Sequence, residues 1–536
     1  MRVRAARHVL GHFMEASLML SRYARCFVAL FFFVLMVCFQ PAALPAQTAG
    51  ASLGVFDGQS DVGSVTPAGT ATYDAASGVY TLTSAGANLW STTDGFHFVW
   101  KKLAGDVVLT ADIAFPVTTS RSNPHRKGVL ILRQTLDADS VYADAAQHGS
   151  GLMALQYRPK KGATTQDIEM NVAEPGRLRL EKRGDTVTMF LGKAGEPLHQ
   201  VVASIKLHFD GTFYAGIGLC SHDKDVVEKA TFAHVEVKEP APATGAKLAL
   251  YSTLQTIGIQ DSDRPAAMVY TGREYFDAPV WTKDGRSLIF SRGGKLWKIP
   301  VEGGTPTVIE MGAAEHCGGS HGLSPDGKWL AMTCSIPGSP EARIYMVPVT
   351  GGAPRRVTEH PDSYFHTWSP DGKTIAFARP SHGSGNIYAI SVEGGAETAL
   401  TTGNGISDDP DYSADGKYIY FNSDRAGGLM QIWRMRADGS QPEQLTFDEY
   451  NNWTPHPSPD GKSVLILSFD KSVTGHPANK EVTLRILTPS DGKIRTLVNL
   501  VGGAGTDNVN NWAPDGAHFA FVNYQMLPVE ETGSSE

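Results

Sequence analysis

From residue 248 onward, short apolar runs alternate with tight-turn clusters at a nearly fixed interval, the pattern of an all-β repeat. The clusters span 280–285, 323–328, 368–373, 412–417, 457–462 and 512–517, and their aspartates fall at 284, 326, 371, 415, 460 and 515. All but the last interval fit one four-stranded propeller blade. Trp368-Ser369-Pro370-Asp371-Gly372-Lys373 shows the logic. Proline presets φ, aspartate bonds its own backbone, and glycine takes the left-handed position. A buried strand follows at 374–377, a third strand at 386–390, a Gly394-Gly395 turn, and an outer strand ending at Leu400-Thr401. The sixth copy stops after two strands, near Val522, while 254–259 and 266–270 read as two outer strands lacking inner ones. Pairing first with last would close a ring and hide its sheet edges, so 248–524 is expected to be a six-bladed β-propeller.

Residues 53–237 also read as strands without long helices, at 106–115, 128–133, 178–182, 186–191 and 213–219 among others. The stretches 215–222 and 230–235 resemble the end of concanavalin A-like modules, which implies a jelly-roll-like β-sandwich over 50–237. Asp137, Asp139, His148, His222 and Asp223 are candidate glycan contacts there, or else solvated residues at strand ends. Trp90 and Trp100 suit stacking on sugars, or a sandwich core. A Pro/Ala-rich linker is expected at 238–247 and a polar tail at 525–536.

The first 46 residues read as a secretory signal. Arg22 and Arg25 precede an apolar run at 27–39, and Ala42-Ala43-Leu44-Pro45-Ala46 offers small residues before a cut, with Met19 an alternative start. The run is short for a membrane span, so a periplasmic or secreted product without stable membrane insertion is expected. The net charge of −8 is spread along the chain, which argues against a nucleic-acid partner. Cys220, Cys317 and Cys334 remain after cleavage. The last two flank the turn Pro325-Asp326-Gly327, as either a cross-strand disulfide or two buried thiols.

Candidate chemistry concentrates upstream of the Asp-Gly turns. His321 and His366 each lie five residues before the turn aspartate, and the matching region holds Asp408 and Asp409, then Asn451, Asn452 and His456, then Asp507, Asn510 and Asn511. His476 sits in the long loop 470–480. These groups are expected to converge on the channel mouth that carries the loops entering each inner strand. There they would either satisfy one another around a wet channel or hold a divalent metal such as Zn or Mn. Gly318-Gly319-Ser320-His321-Gly322 has the spacing of a nucleophile elbow, but it falls on an all-β blade where that motif has no strand-to-helix turn.

The repeat resembles the TolB-type propeller family in the motif W-S-P-D-G-K … I-A-F … I-Y … G-G … L-T, carried by 368–373, 375–377, 387–388, 394–395 and 400–401. That resemblance covers 248–524 and implies a non-catalytic binding or scaffolding protein, with an envelope protein or polysaccharide as partner and a link to biopolymer transport. Unlike the Tol–Pal member of that family, whose N-terminal domain resembles a mixed α/β fold, this chain begins with strands. The channel histidines also resemble those of oligogalacturonate lyases, propeller enzymes that hold a metal in the channel. That makes a carbohydrate-active enzyme the rival reading, although that family's catalytic base falls on no residue here.

Overall fold

The repeat folds as its turn chemistry dictates. Ser369 donates its hydroxyl to Asp371 Oδ1 at 2.7 Å, and the same oxygen accepts from the Lys373 backbone N–H at 3.1 Å. Both bonds hold the Asp371 carboxyl below the usual carboxylate range. Gly372 has φ of 70°, where a Cβ would be strained. Ser324–Asp326, Ser413–Asp415 and Ser458–Asp460 repeat the side-chain bond at 2.6, 2.7 and 2.7 Å.

The computed structural model describes residues 52–528, apart from 171–175, 193–197, 199, 241–247, 260–265, 315, 382–383 and 404. The signal segment at 1–46, most of the expected linker and the end of the expected tail lie outside the described residues. Five four-stranded antiparallel sheets follow one another, with inner strands Phe276–Trp281, His321–Leu323, Tyr364–Trp368, Ser407–Tyr412 and Tyr450–Pro457. They are blades one to five below. Neighbouring blades bury apolar faces on each other: Phe365, Ile375 and Phe377 of blade three pack on Ile344, Met346 and Val357 of blade two.

Among the described residues the count of self-contained blades is five, not the six expected from the repeats. The sixth copy does pair with the start of the region, His518–Pro528 running antiparallel to Leu248–Gly258 from Gly258↔His518 to Leu248↔Pro528. At the inner position, however, only an isolated bridge, Trp512↔Phe519, is formed. On the outer side, Ala266–Gly272 pairs in parallel with Gln166–Met170, so these strands belong to an eleven-stranded sheet that continues into the N-terminal region. The last strand also runs on to Pro528, beyond the boundary expected at 524, because Leu248–Tyr251 offers it a partner edge.

The N-terminal region is two sheets over one core. Leu130, Leu132, Leu155 and Ile217 from one sheet meet Leu109, Leu178, Leu180 and Phe232 from the other, all buried. Alternation at Leu178 and Leu180 turns the apolar side chains inward. The opposite face of the first sheet is closed partly by charge. Arg133 and Arg158, both fully buried, share Asp94 through bonds of 2.7 to 2.8 Å, which anchors the segment around Ser91 over the strands. Among the described residues no helix is long and apolar enough to cross a membrane.

Candidate functional site

The inner strands do not run straight along the channel. Their register breaks between Asp277 and Val280, Phe365 and Thr367, Asp408 and Asp411, and Trp453 and His456. Ala278, Asp409 and Thr454 occupy left-handed φ of 54°, 49° and 49°, each six residues before its turn aspartate and each followed by proline. Such bulges re-aim the side chains that follow. The −5 and −4 positions therefore gather around a cavity of about 380 Å³ lined by His321, His366, Asp411 and Asn510, with the indoles of Trp281 and Trp368. Turn prolines Pro325, Pro370, Pro459 and Pro514 complete the lining. The cavity thus lies toward the Asp-Gly turns, whose prolines line it.

Asp411 is the centre of the polar wall. Its Oδ1 accepts from the Thr367 hydroxyl at 2.7 Å, and its Oδ2 accepts from Asn510 Nδ2 at 2.8 Å and lies 3.0 Å from His456 Nδ1. His456 Nε2 lies 2.6 Å from the Asp507 carbonyl oxygen, which can only accept, so Nε2 carries a proton. With Nδ1 facing a carboxylate, the imidazolium is the form that satisfies both contacts. Burial opposes that charge, but the bond and charge of Asp411 outweigh it and raise the His456 pKa. Asp507, which accepts from the Thr454 hydroxyl at 3.0 Å, is pushed up to about 7 by burial.

His366 stands between two acids of blade four, Nε2 at 3.4 Å from Asp408 and Nδ1 at 3.5 Å from Asp409. Burial disfavours its charge, yet these carboxylates raise its pKa. Burial and the neighbouring Asp408 push Asp409 up, while His366, against burial, holds Asp408 down. One donor atom from each of the three lies within 4.8 Å of the others, a spacing that a divalent cation can draw together. His321 is fully buried, and burial lowers its pKa to about 4 against the opposing effect of the Ile289 backbone.

Of the sequence candidates, His321, His366 and Asn510 line the cavity. Asp408 and Asp409 adjoin it through His366, and His456 through Asp411. His476 packs edge-on against Trp453, ring centres 4.4 Å apart, outside the cavity lining but near enough to Asp408 and Asp409 to favour their charge. Asp411 escaped the sequence reading, although it shares the −4 register with His456. The glycan candidates do not form one site. Asp137 and Asp139 pair with Lys161 at 2.6 and 3.5 Å, beyond Arg133 at one end of the strand Lys127–Arg133. His222 and Asp223 follow Cys220, which pairs with Lys127 at the other end. Asp223 accepts from the Asp225 N–H at 2.9 Å, an ordinary turn bond. Cys317 and Cys334 are joined by a disulfide with Cα atoms 4.3 Å apart, and Cys220 is a buried free thiol whose pKa burial raises.

The sequence profile of the TolB beta propeller domain (PD40) matches residues 365–522. An uncharacterized protein of Agrobacterium fabrum is 40% identical over 289 residues, which are 54% of this chain and 97% of that protein. This chain belongs to the TolB-type β-propeller family. The Tol-Pal system protein TolB of Francisella tularensis subsp. tularensis is 30% identical over 196 residues, 35% of this chain. The match spans 45% of that TolB, under half its length. A solved structure named for TolB, from Agrobacterium tumefaciens, is 39% identical and covers 53% of this chain and all of its own, at a TM-score of 0.49. An oligogalacturonate lyase in complex with manganese is 14% identical over 42% of this chain and 66% of its own, at a TM-score of 0.30. That likeness is too low to carry an argument for a lyase activity in this TolB-type chain.

Proposed function

We propose that this chain is an exported, non-catalytic binding or scaffolding protein of the cell envelope, whose propeller receives a segment of a partner protein. The cavity of about 380 Å³ at the Asp-Gly turns carries this reading. Its rim of prolines and indoles offers apolar contact, and His321, His366 and Asn510 offer polar anchors, the mixture found where a few convergent polar groups orient a bound chain. The polar wall is occupied with itself. Asp411 engages Thr367, His456 and Asn510 at once, and a structural network of that kind leaves little freedom for proton transfer.

Export to the periplasm is supported by the signal pattern at 1–46, by the Cys317–Cys334 disulfide, which suits an oxidising compartment, and by the TolB relatives. A sandwich of concanavalin A type at 50–237 and a ring closed by Leu248–Gly258, Ala266–Gly272 and His518–Pro528 as a sixth unit complete the reading. The name of the Francisella relative makes the host's peptidoglycan-associated lipoprotein the first partner to test. Biolayer interferometry of the mature chain against the soluble domain of that lipoprotein is expected to show saturable binding, weakened about tenfold or more by Trp368→Ala, as at a buried aromatic anchor. Binding unchanged by Trp368→Ala and His366→Ala would overturn the cavity as the docking point.

The rival, a carbohydrate-active enzyme with a channel metal, is favoured by one observation, the convergence of His366, Asp408 and Asp409. Stoichiometric metal that is lost with His366→Ala would move the reading to that side.

A further inference from the structure

A second cavity, of about 420 Å³, lies where the N-terminal sheets meet the propeller. Two of its walls are sheet edges. Every residue from Arg495 to Leu500 in the strand Lys493–Gly502 lines it, and so do Ser204, Ile205 and Lys206 of the strand Gln200–Lys206. Successive side chains of a strand point to opposite faces, so an unbroken run of neighbours borders one space along the backbone edge. Lys493–Gly502 is the last strand of blade five and pairs only with Lys480–Thr488, while Gln200–Lys206 ends the seven-stranded sheet. Among the described residues no strand pairs with the outer side of either. Each leaves a row of backbone N–H and C=O groups open there.

The closing strands form a third wall. Gln255 stands opposite Phe521, and Asn523 follows on the same face. Gln255 is 1% exposed with its Nε2 unbonded, and Asn523 is 4% exposed with its Oδ1 unbonded. Buried polar atoms are nearly always paired, so a donor and an acceptor left open on one cavity wall point to a ligand. Ile257, Leu497 and Phe521 supply apolar surface beside them. Arg495 is exposed and donates to the Ile259 carbonyl, and among the described residues no carboxylate pairs with it. Ile259 lies four residues beyond Gln255, roughly 13 Å of extended chain. Asp167 also borders the cavity, but burial and the charge of Glu169 push its pKa up to about 7, so below neutral pH it opposes an anion little.

We infer that this cavity binds an extended peptide of about four residues along the free edge of Lys493–Gly502, with a carboxylate against Arg495 and a peptide bond against Gln255 and Asn523. A peptide bond presents a C=O and an N–H together, which is what Gln255 Nε2 and Asn523 Oδ1 require. An added strand also satisfies the open backbone row, and its alternate side chains meet the apolar wall. The carboxylate is the peptide's C-terminus or an acidic side chain close to it. The site is separate from the channel and does not rest on the channel as a docking point.

The test is a library of N-acetylated tetrapeptides with free C-termini, screened against the mature full-length chain by affinity-selection mass spectrometry. Isothermal titration of the best binder follows. At least one peptide is expected to bind saturably. Either amidating its C-terminus or replacing its Asp or Glu by Asn or Gln should weaken it about tenfold or more, which identifies the source of the carboxylate. Methylating its central peptide nitrogens one at a time should weaken it as much in at least one position, because alternate N–H groups of a strand face the partner edge. Arg495→Gln and Gln255→Leu should each weaken the unmodified peptide about tenfold or more while the melting curve stays cooperative. Arg495 is exposed, so its variant tests the site even if Gln255→Leu fails to fold. Silence across the library, as from a cavity that only holds water, overturns the inference. So does binding indifferent to the carboxylate or to both methylations. Loss with Trp368→Ala but not with Arg495→Gln would place the peptide in the channel and overturn it too.

Discussion

Asn510 donates to the Asp411 carboxylate at 2.8 Å although 99 residues, including all of blade five, separate them. The same carboxylate holds Thr367 of blade three and His456 of blade five. One side chain on the axis thereby ties three blades to the segment that enters the closing strand.

Removing that tie should be costly. Asp411→Ala leaves the buried His456 imidazolium without its counter-charge, a change expected to destabilise the propeller by about 3 kcal/mol. Urea melts of wild type and variant measure the difference, and a loss under ~0.5 kcal/mol would show that the Asp411 contacts carry little of the stability.

His321 makes the protein acid-sensitive. Its folded pKa, about 4, lies below the ~6.5 of an unfolded histidine, so the unfolded chain takes up the proton first as pH falls. Its contribution is fully present above pH ~6.5 and is lost as pH falls through the window toward 4, amounting to roughly 3 kcal/mol at most. His321→Leu should reduce the stability difference between pH 7.5 and pH 4.5 by about 2 kcal/mol, read by urea melts at both values. An unchanged difference would mean that His321 stays protonated or reaches solvent.

Metal content separates binder from enzyme. Elemental analysis of protein purified without chelator is expected to find well under one equivalent of Zn or Mn per chain. A full equivalent, removed by His366→Ala or Asp408→Asn, is the contrary result.

The Cys317–Cys334 bridge closes a separation of 17 residues and should stabilise the fold by about 3 kcal/mol through its effect on the unfolded chain. Replacing both cysteines by serine should lower the melting temperature by several degrees, and wild-type protein under reducing agent should match the variant. Equal melting temperatures for oxidised and reduced wild type would contradict this.

What the sequence made legible was local chemistry. Ser369, Asp371 and Gly372 build their turn within six residues, so the blade repeat can be read from a string of letters. The blade count depended on something else. Ala266↔Ile168 and Met268↔Met170 pair residues about a hundred positions apart, and neither segment announces a parallel neighbour. The bulges left no mark in the letters, because Asp409 and Thr454 look like ordinary strand residues although their backbones are left-handed. Tyr142–His148 hid for a different reason. It is covered on both faces, but one is alanine and the other largely polar, so no apolar alternation marks it.

The parallel pairing of Gln166–Met170 with Ala266–Gly272 has a mechanical consequence. Hydrogen bonds, joined by the Lys206–Glu481 ion pair at 3.0 Å, hold the two regions in a fixed mutual orientation that does not depend on the covalent connection. A protease cut after Glu239 would yield two fragments that still co-elute as one particle. Whatever grips the front of the molecule tugs directly on the ring behind it, like a handle welded to a wheel.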